Sequence, residues 1–305
     1  MKKVIFIIFF LLASTIAMRE YVAEDIAIAE SDVEQTILSE GKLQVHFLDI
    51  GQGDASFIQF ADGQQMLVDC AIDARILEAL GRVMPFYDHT IDYMLITHPD
   101  KDHYGGCIDV LERFDVANIV YTGVKKDQNF YREFEEKMYA EGAEYYQISG
   151  EETWNIASTS IQFLYPDHSV VDDYRLPGYE KDTGYNNTSI AFLLEHNGRN
   201  ILFTGDAEEE EEEYLIDRYG EALDVDILKA GHHGSAGASI PEFLSITSPE
   251  HVVFSAGKDN QYGHPSRRVL KRVERVSSTV WRTDMQGDIH VVIGEDITIE
   301  SLPTL

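Results

Sequence analysis

Apolar and polar positions alternate in Leu43-Gln44-Val45-His46-Phe47-Leu48, which is rich in strand formers and predicts a first β-strand. Gly51-Gln52-Gly53-Asp54 makes a tight turn into a strand over 55–60, and Ala61-Asp62-Gly63 makes another into a strand over 65–69. Three short strands joined by glycine turns predict an antiparallel meander. The period then lengthens, with helices over 72–84, 103–114 and 129–141 and strands over 93–96, 117–121, 144–148 and 158–164. Residues 165–185 carry Pro, Gly and charge without a period, so they form a long loop over the rim of whatever site the strands present. Strands over 190–194 and 200–204 flank the hairpin turn His196-Asn197-Gly198. Beyond them lie a strand over 225–229, a helix over 241–246, a strand over 251–254 and a helix over 266–275. Strands over 279–282 and 288–293 close the fold.

The amino terminus follows a different pattern. Met1-Lys2-Lys3, an apolar run over 4–13 and the small-residue stretch Thr15-Ile16-Ala17 read as a secretory signal, or as an N-terminal anchor if uncleaved. The run is shorter than an ordinary membrane span. Residues 1–18 are thus assigned to the signal or anchor, 19–42 to an acidic linker and 43–305 to the folded domain. A chain of 305 residues with 44% hydrophobic positions buries a sizeable core, which excludes disorder as its main state. Its 54 acidic against 24 basic side chains give a formal net charge of −30, a field that repels polyanions and opposes nucleic-acid binding over the surface as a whole. Two cysteines, Cys70 and Cys107, are expected as buried thiols. In an exported chain they could instead form one disulfide, which spacing alone does not decide.

The densest chemistry lies in Thr97-His98-Pro99-Asp100-Lys101-Asp102-His103-Tyr104-Gly105-Gly106, directly after the strand over 93–96. Two imidazoles and two carboxylates delivered into one turn suit Zn²⁺, Mn²⁺ or Fe²⁺. Gly105-Gly106 permits a sharp turn or the close approach of another segment. Asp69 ends a strand, where an acid also caps a following helix. Phe203-Thr204-Gly205-Asp206 places an acid after a strand and a glycine, and Ala230-Gly231-His232-His233-Gly234-Ser235 follows another strand. The acidic run over 208–213 suits the first turns of a helix, and its mutual repulsion points it to water rather than to a metal. The helix over 266–275 holds five of the 24 basic residues, a local anion-attracting patch beside Tyr262-Gly263-His264-Pro265.

These segments together resemble the metallo-β-lactamase-like hydrolases. Thr97–Gly106 is similar to their His-x-His-x-Asp-His signature, with Asp100 where that pattern has its second histidine. The variant Thr-His-x-Asp-x-Asp-His-x-Gly-Gly, the Gly51-Gln52-Gly53-Asp54 turn, Asn187 and the His-His-Gly-Ser turn resemble the ComEC-like branch, named for the hydrolase domain of a DNA-uptake channel protein. The resemblance implies an α/β fold, a four-layer αββα sandwich, with two divalent cations, Zn or Mn. His98 and Asp100 would hold one ion, Asp102, His103 and His232 the other, and Asp206 would bridge both. Asp69 would orient a metal-binding histidine or the metal water, and Asn187, in the region of a histidine ligand in other members, would hold water or substrate. His233 is expected as a general acid for the leaving group and His264 as a substrate- or metal-binding residue, with Asp102 also serving catalysis and Ser235 supporting the site or touching substrate.

The function implied is an exported metal-dependent hydrolase, a phosphodiesterase that acts on DNA or a smaller phosphodiester through activated water. Two alternatives stand beside it: a small-ester hydrolase of the phosphorylcholine-esterase type, and a surface-displayed binding protein on the same fold that is catalytically idle. Secretion or membrane anchoring outside the cytoplasm follows from the amino-terminal pattern.

Overall fold

The glycine turns of the opening segment do produce a meander. In the computed structural model, which describes residues 41–303, β1 (Leu43–Phe47) pairs antiparallel with β2 (Ser56–Gln59), and β2 with β3 (Gln65–Val68). The signal or anchor and almost all of the acidic linker lie outside the described residues. From β3 the pairing becomes parallel through β4 (Thr90–Leu95), β5 (Asp115–Tyr121) and β6 (Glu144–Gln147). On the other side of β1, β14 (Asp288–Ile293) and β15 (Ile297–Leu302) complete an eight-stranded sheet. A second sheet of seven strands runs from β7 (Glu152–Ile156) through β8 (Thr159–Tyr165), β9 (Ala191–His196), β10 (Arg199–Phe203), β11 (Ile227–Lys229) and β12 (His251–Phe254) to β13 (Thr279–Arg282). Its β7–β10 pairs are antiparallel and its β10–β13 pairs parallel, so each sheet joins an antiparallel half to a parallel half.

Strand alternation builds the layers. Met66 and Val68 on β3 join Phe163, Phe192, Ile201 and Ile227 in the core between the sheets. Leu67, between them in sequence, points the other way, under helices Arg75–Val83 and Asn129–Ala140 with Ile76, Leu80 and Phe134. Leu202 and Leu228 likewise pack beneath helices Glu209–Tyr219, Pro241–Thr247 and Arg267–Arg275. The result is the expected αββα sandwich. Among the described residues no helix is long and apolar enough to cross a membrane.

Four local expectations differ from the structure. The helix expected over 103–114 is two short helices, Lys101–Tyr104 and Cys107–Leu111, because Gly105-Gly106 is pressed against another backbone segment. A Cβ on Gly105 would lie 2.2 Å from the Ile72 carbonyl oxygen, and one on Gly106 2.2 Å from that of Cys70. The two cysteines are not thiols: Cys70 and Cys107 form a disulfide. β7 and β15 have no counterpart in the sequence reading, since both are edge strands with one wet face and correspondingly polar sequences. Finally, the acidic run does not all face water, because Glu211 and Glu212 are fully buried. Glu212 accepts the Ser239 and Ile240 N–H groups at 2.6 and 2.8 Å, at the start of helix Pro241–Thr247.

Candidate metal centre

The segments after β3, β4, β10 and β11 converge at one end of the sandwich. Ile190 N–H donates to the Thr97 carbonyl at 3.0 Å and so ties the two sheets together there. Asp69, just past β3, accepts the Thr97 N–H and hydroxyl, each at 2.8 Å. With its hydrogen committed to Asp69, the Thr97 oxygen accepts from His98 Nδ1–H at 3.1 Å. His98 is thereby held with Nε2 unprotonated, and that buried nitrogen finds no hydrogen-bond partner among the described residues. Asp69 also accepts His103 Nδ1–H at 2.8 Å, which turns His103 Nε2 toward Asp206 Oδ1, 3.2 Å away. One carboxylate and one hydroxyl thus fix two imidazoles.

Asp206 is reached through the left-handed Gly205, where a Cβ would meet Ser189 at 2.8 Å, and its N–H donates to Ser189 Oγ at 2.9 Å. Both His232 and His233 also have positive φ, 43° and 53°, a strained backbone for non-glycine residues. The strain aims His233 inward. Its Nδ1–H donates to the Ser255 carbonyl at 3.1 Å, while Nε2 lies 3.4 Å from Asp102 Oδ2 and 3.5 Å from Asp206 Oδ2. Donor atoms fall into overlapping triads: His98, His103 and Asp206; Asp102, His103 and His233; Asp54, Asp206 and His233. His98 Nε2, His103 Nε2, His233 Nε2, Asp54 Oδ1 and Asp206 Oδ1 are all buried without hydrogen-bond partners among the described residues. Buried polar atoms are normally paired, so a convergent set of unpaired nitrogens and carboxylate oxygens fits a divalent cation.

The electrostatics agree with that fit. Burial, with His103 adding repulsion, lowers His98 to about 4 and keeps it a neutral donor. At His103 burial opposes protonation, yet Asp206 and Asp69 carry it well above the usual range. At His233 burial is likewise outweighed, by Asp206 and Asp54, which raise it to about 10. Burial works against ionisation of Asp206 too, but His233 and His103 hold it well below the ordinary carboxylate range. Asp102 is lowered to about 2 by its bond to His233 and by His103, against burial. The cavity is thus negative enough to hold positive charge on its own histidines.

The remaining expected site residues are distributed unevenly. Asp100 is engaged by Lys126 Nζ and lies 4.0 Å from His98 Nε2, outside the donor triads. Asn187 spends its amide on structure: Nδ2 donates to the Thr183 carbonyl at 2.8 Å and to Glu210 at 3.2 Å, and Oδ1 accepts the Glu208 N–H at 2.9 Å. His232 is also outside the triads. Its Nδ1 bonds Glu208 at 2.8 Å and its Nε2 stands 3.7 Å from Asp206, the reverse of the inward place expected for it relative to His233. His264 is half-buried, its ring 5.5 Å from that of His232, and burial with the two neighbouring histidines lowers it to about 4. Ser235 serves the turn, where its oxygen accepts the Gly237 N–H at 3.4 Å.

Two residues absent from the expected site are built into it. Asp54 reaches it because Gly53, at φ 121°, lies against Asp102: a Cβ there would be 2.4 Å from the Asp102 carbonyl oxygen. The Asp54 carboxylate faces His233 Nδ1 at 3.4 Å and pairs with Lys229 Nζ, which is itself buried. The Gly-Gln-Gly-Asp turn signalled Asp54, and a lysine ending the apolar strand β11 signalled Lys229. The disulfide brackets the same region, joining the residue after Asp69 to the segment after His103, and Cys70 N–H donates to the His103 carbonyl at 2.6 Å.

Comparison with known proteins agrees with this fold. Residues 48–258 match the family model of the Metallo-beta-lactamase superfamily. ComE operon protein 3 of Bacillus subtilis is 29% identical over 204 residues, 66% of this chain and 24% of that protein. Competence protein ComA of Neisseria gonorrhoeae is 29% identical over 208 residues, 67% of this chain and 26% of that protein. The chain therefore spans about a quarter of the length of these relatives. Among solved structures, the metallo-beta-lactamase fold protein YhfI of Bacillus subtilis superposes with a TM-score of 0.50 at 11% identity, over 78% of this chain and 95% of that one. Zn(2+)-bound PqqB of Methylobacterium extorquens gives 0.50 at 14% identity, over 80% and 87%. At those identities the structural likeness is one of fold, and the family model carries the assignment. The chain belongs to the metallo-beta-lactamase superfamily.

Proposed function

We propose that this chain is a metal-dependent hydrolase of phosphodiesters that works outside the cytoplasm. The observation that carries the reading is the set of five buried nitrogen and oxygen atoms, on His98, His103, His233, Asp54 and Asp206, that have no hydrogen-bond partner among the described residues. Asp102, His103, His233 and Asp206 would hold a divalent cation, with His98 beside them. The bound cation would polarise a phosphoryl oxygen and acidify water. The protein's own part is positional. Asp69 and Thr97 hold His98 and His103 in the tautomers that present Nε2. Ser255 does the same for His233. In this reading His232, a quarter exposed and backed by Glu208, would give a proton to the leaving oxygen, with His264 beside it at the rim.

Two features support a phosphodiester. One relative is named a competence protein, and the motifs resemble the hydrolase domain of a DNA-uptake channel protein. The helix Arg267–Arg275 begins where Ser266 N–H donates to the Gly234 carbonyl of the histidine turn, so its exposed Arg267, Arg268 and Lys271 lie on a helix anchored to the site. The formal charge of −30 favours a small diester over a polymer as the second reading. The disulfide supports export, since such bonds persist in oxidising compartments.

The test is hydrolysis of single-stranded DNA and of bis-p-nitrophenyl phosphate by the full chain with Mn²⁺ or Zn²⁺. Turnover should disappear in the double variant His98→Ala/Asp206→Ala, and unchanged turnover would end the proposal. Steep loss of DNA cleavage with salt, without loss on the small ester, would mark a polymer substrate; cleavage of the ester alone would mark the small-diester reading.

A further inference from the structure

The geometry points to Tyr262 as a base-stacking platform: a nucleoside attached to the scissile phosphodiester lays its base on the open face of that ring, so the substrate class is a nucleoside phosphodiester. This role rests on the hydrolase reading above and names the part of the substrate that the metal centre does not touch.

Tyr262 ends a file of rings that begins at the metal centre. His233, whose Nε2 lies 3.5 Å from Asp206 Oδ2, has its ring centre 6.4 Å from that of His264, with 30° between the planes. His264 in turn faces Tyr262 at 5.8 Å and 28°. Separations of this size are those of offset aromatic contacts. The three planes run from the interior to solvent, and exposure rises along them: His233 is buried, His264 is partly buried and Tyr262 is 60% exposed. With one face toward His264, the Tyr262 ring turns the other to water. An aromatic face held open at the rim of a site suits another π surface, and every nucleobase has one.

The platform is preformed. A single side chain, Asn260, closes its loop. Asn260 Oδ1 accepts the Tyr262 and His264 N–H groups at 3.1 and 3.0 Å, and Nδ2 donates to the Gly257 and His264 carbonyls at 2.8 and 2.5 Å. Gly257 is pressed onto the turn that carries Asp54: a Cβ there would lie 2.6 Å from the Gln52 nitrogen, and the Gly257 N–H donates to Gln52 Oε1 at 3.3 Å. On the other side Ser266 N–H donates to the Gly234 carbonyl at 2.8 Å. The loop is thus tied both to the Gly-Gln-Gly-Asp turn and to the histidine turn, which cuts the ordering cost of binding.

Net charge favours stacking over ion pairing as the source of affinity. A formal charge of −30 repels a phosphodiester at long range, whereas contact between π faces does not depend on that field. The exposed Arg267 and Arg268, at the start of the helix that follows the loop, add positive charge locally.

The experiment uses the full chain with Mn²⁺ and two esters that share a leaving group, thymidine 5′-(p-nitrophenyl phosphate) and methyl p-nitrophenyl phosphate. The wild type should prefer the thymidine ester, and Tyr262→Ala should lower the ratio of the two kcat/KM values about 5- to 100-fold, chiefly through KM, as expected for loss of one stacked base. Tyr262→Phe and Tyr262→Trp should keep the preference. A second readout needs no turnover: a phosphorothioate-linked dinucleotide of 2-aminopurine and thymidine, mixed with the chain with and without Zn²⁺, should lose fluorescence on stacking with the wild type and with Tyr262→Trp but not with Tyr262→Ala. A wild type without preference for the thymidine ester overturns the inference. So does a Tyr262→Ala variant with an unchanged ratio or unchanged quenching, or a Tyr262→Trp variant that loses as much as Tyr262→Ala. If neither ester is hydrolysed while quenching is still lost in Tyr262→Ala, the base site stands and the hydrolase reading falls.

Discussion

The Asp69 carboxylate accepts the Nδ1–H of His103 at 2.8 Å, across 34 residues of chain, and so aims His103 Nε2 at Asp206. The same carboxylate fixes Thr97 and, through it, His98. Asp69→Asn keeps the shape but replaces one acceptor oxygen with a donor, which conflicts with at least one of those bonds. Metal affinity should fall about 10- to 100-fold, the usual effect of removing the partner behind a metal-binding histidine. Isothermal titration with Mn²⁺ or Zn²⁺ reads this directly, and an affinity equal to wild type would remove the orienting role.

Lys229 and Asp54 form a buried ion pair beside His233. Removing only the cation, as in Lys229→Met, strands a carboxylate in the interior and should cost about 3–5 kcal/mol. Lys229→Met/Asp54→Asn should recover much of that loss, because no unpaired charge remains. Urea denaturation of the two single variants and the double variant measures the coupling; strictly additive costs would mean that the two groups do not act as a pair.

The Cys70–Cys107 bridge closes a loop of 37 residues that contains the Thr97–His103 segment. On chain-entropy grounds its removal in Cys70→Ser/Cys107→Ser should cost about 4 kcal/mol. Thermal unfolding of the wild type with and without a thiol reductant should show the same direction of change. Identical midpoints under conditions shown by thiol counting to break the bridge would contradict it.

Glu211 has both carboxyl oxygens buried without a hydrogen-bond partner among the described residues. Burial, followed by the nearby charges of Glu212 and Asp206, raises it well above its ordinary 4.5. Burial also raises Glu212, to about 8. The folded state therefore keeps protons that the unfolded chain releases near pH 4.5. Stability is fully present below that value and falls as pH rises toward the folded values, by up to about 1.4 kcal/mol per pH unit for each group. Glu211→Gln preserves the neutral shape and should flatten the decline of the melting temperature between pH 5 and 9. An unchanged slope would show that Glu211 is ionised in the fold.

Much of the fold was legible because period and turn residues act locally. The strands β12, β13 and β14 and the helix at Pro241 follow from apolar spacing, and the hairpin after β9 from Asn197 and Gly198, whose φ values are both positive. The edge strands β7 and β15 escaped notice because one face of each is wet and the apolar alternation is weak. The buried Glu211 and Glu212 escaped for the opposite reason: a run of six acids looks solvated until other segments close over it.

By itself the sequence determined the residue types of the site and their order, because His98, Asp102, His103, Asp206 and the histidine turn each follow a recognisable strand end. Only the tertiary structure decided their partners. His232 and His233 are adjacent in sequence, and positive φ at both, with Ser255 and Glu208 as their anchors, sends one inward and the other toward the rim. Lys229 and Asp54 enter the centre from distant segments, and Cys70 meets Cys107 across the loop that holds Thr97–His103. A hydrogen bond or ion pair depends on separations in space of a few ångströms, which the spacing of residues along the chain does not encode.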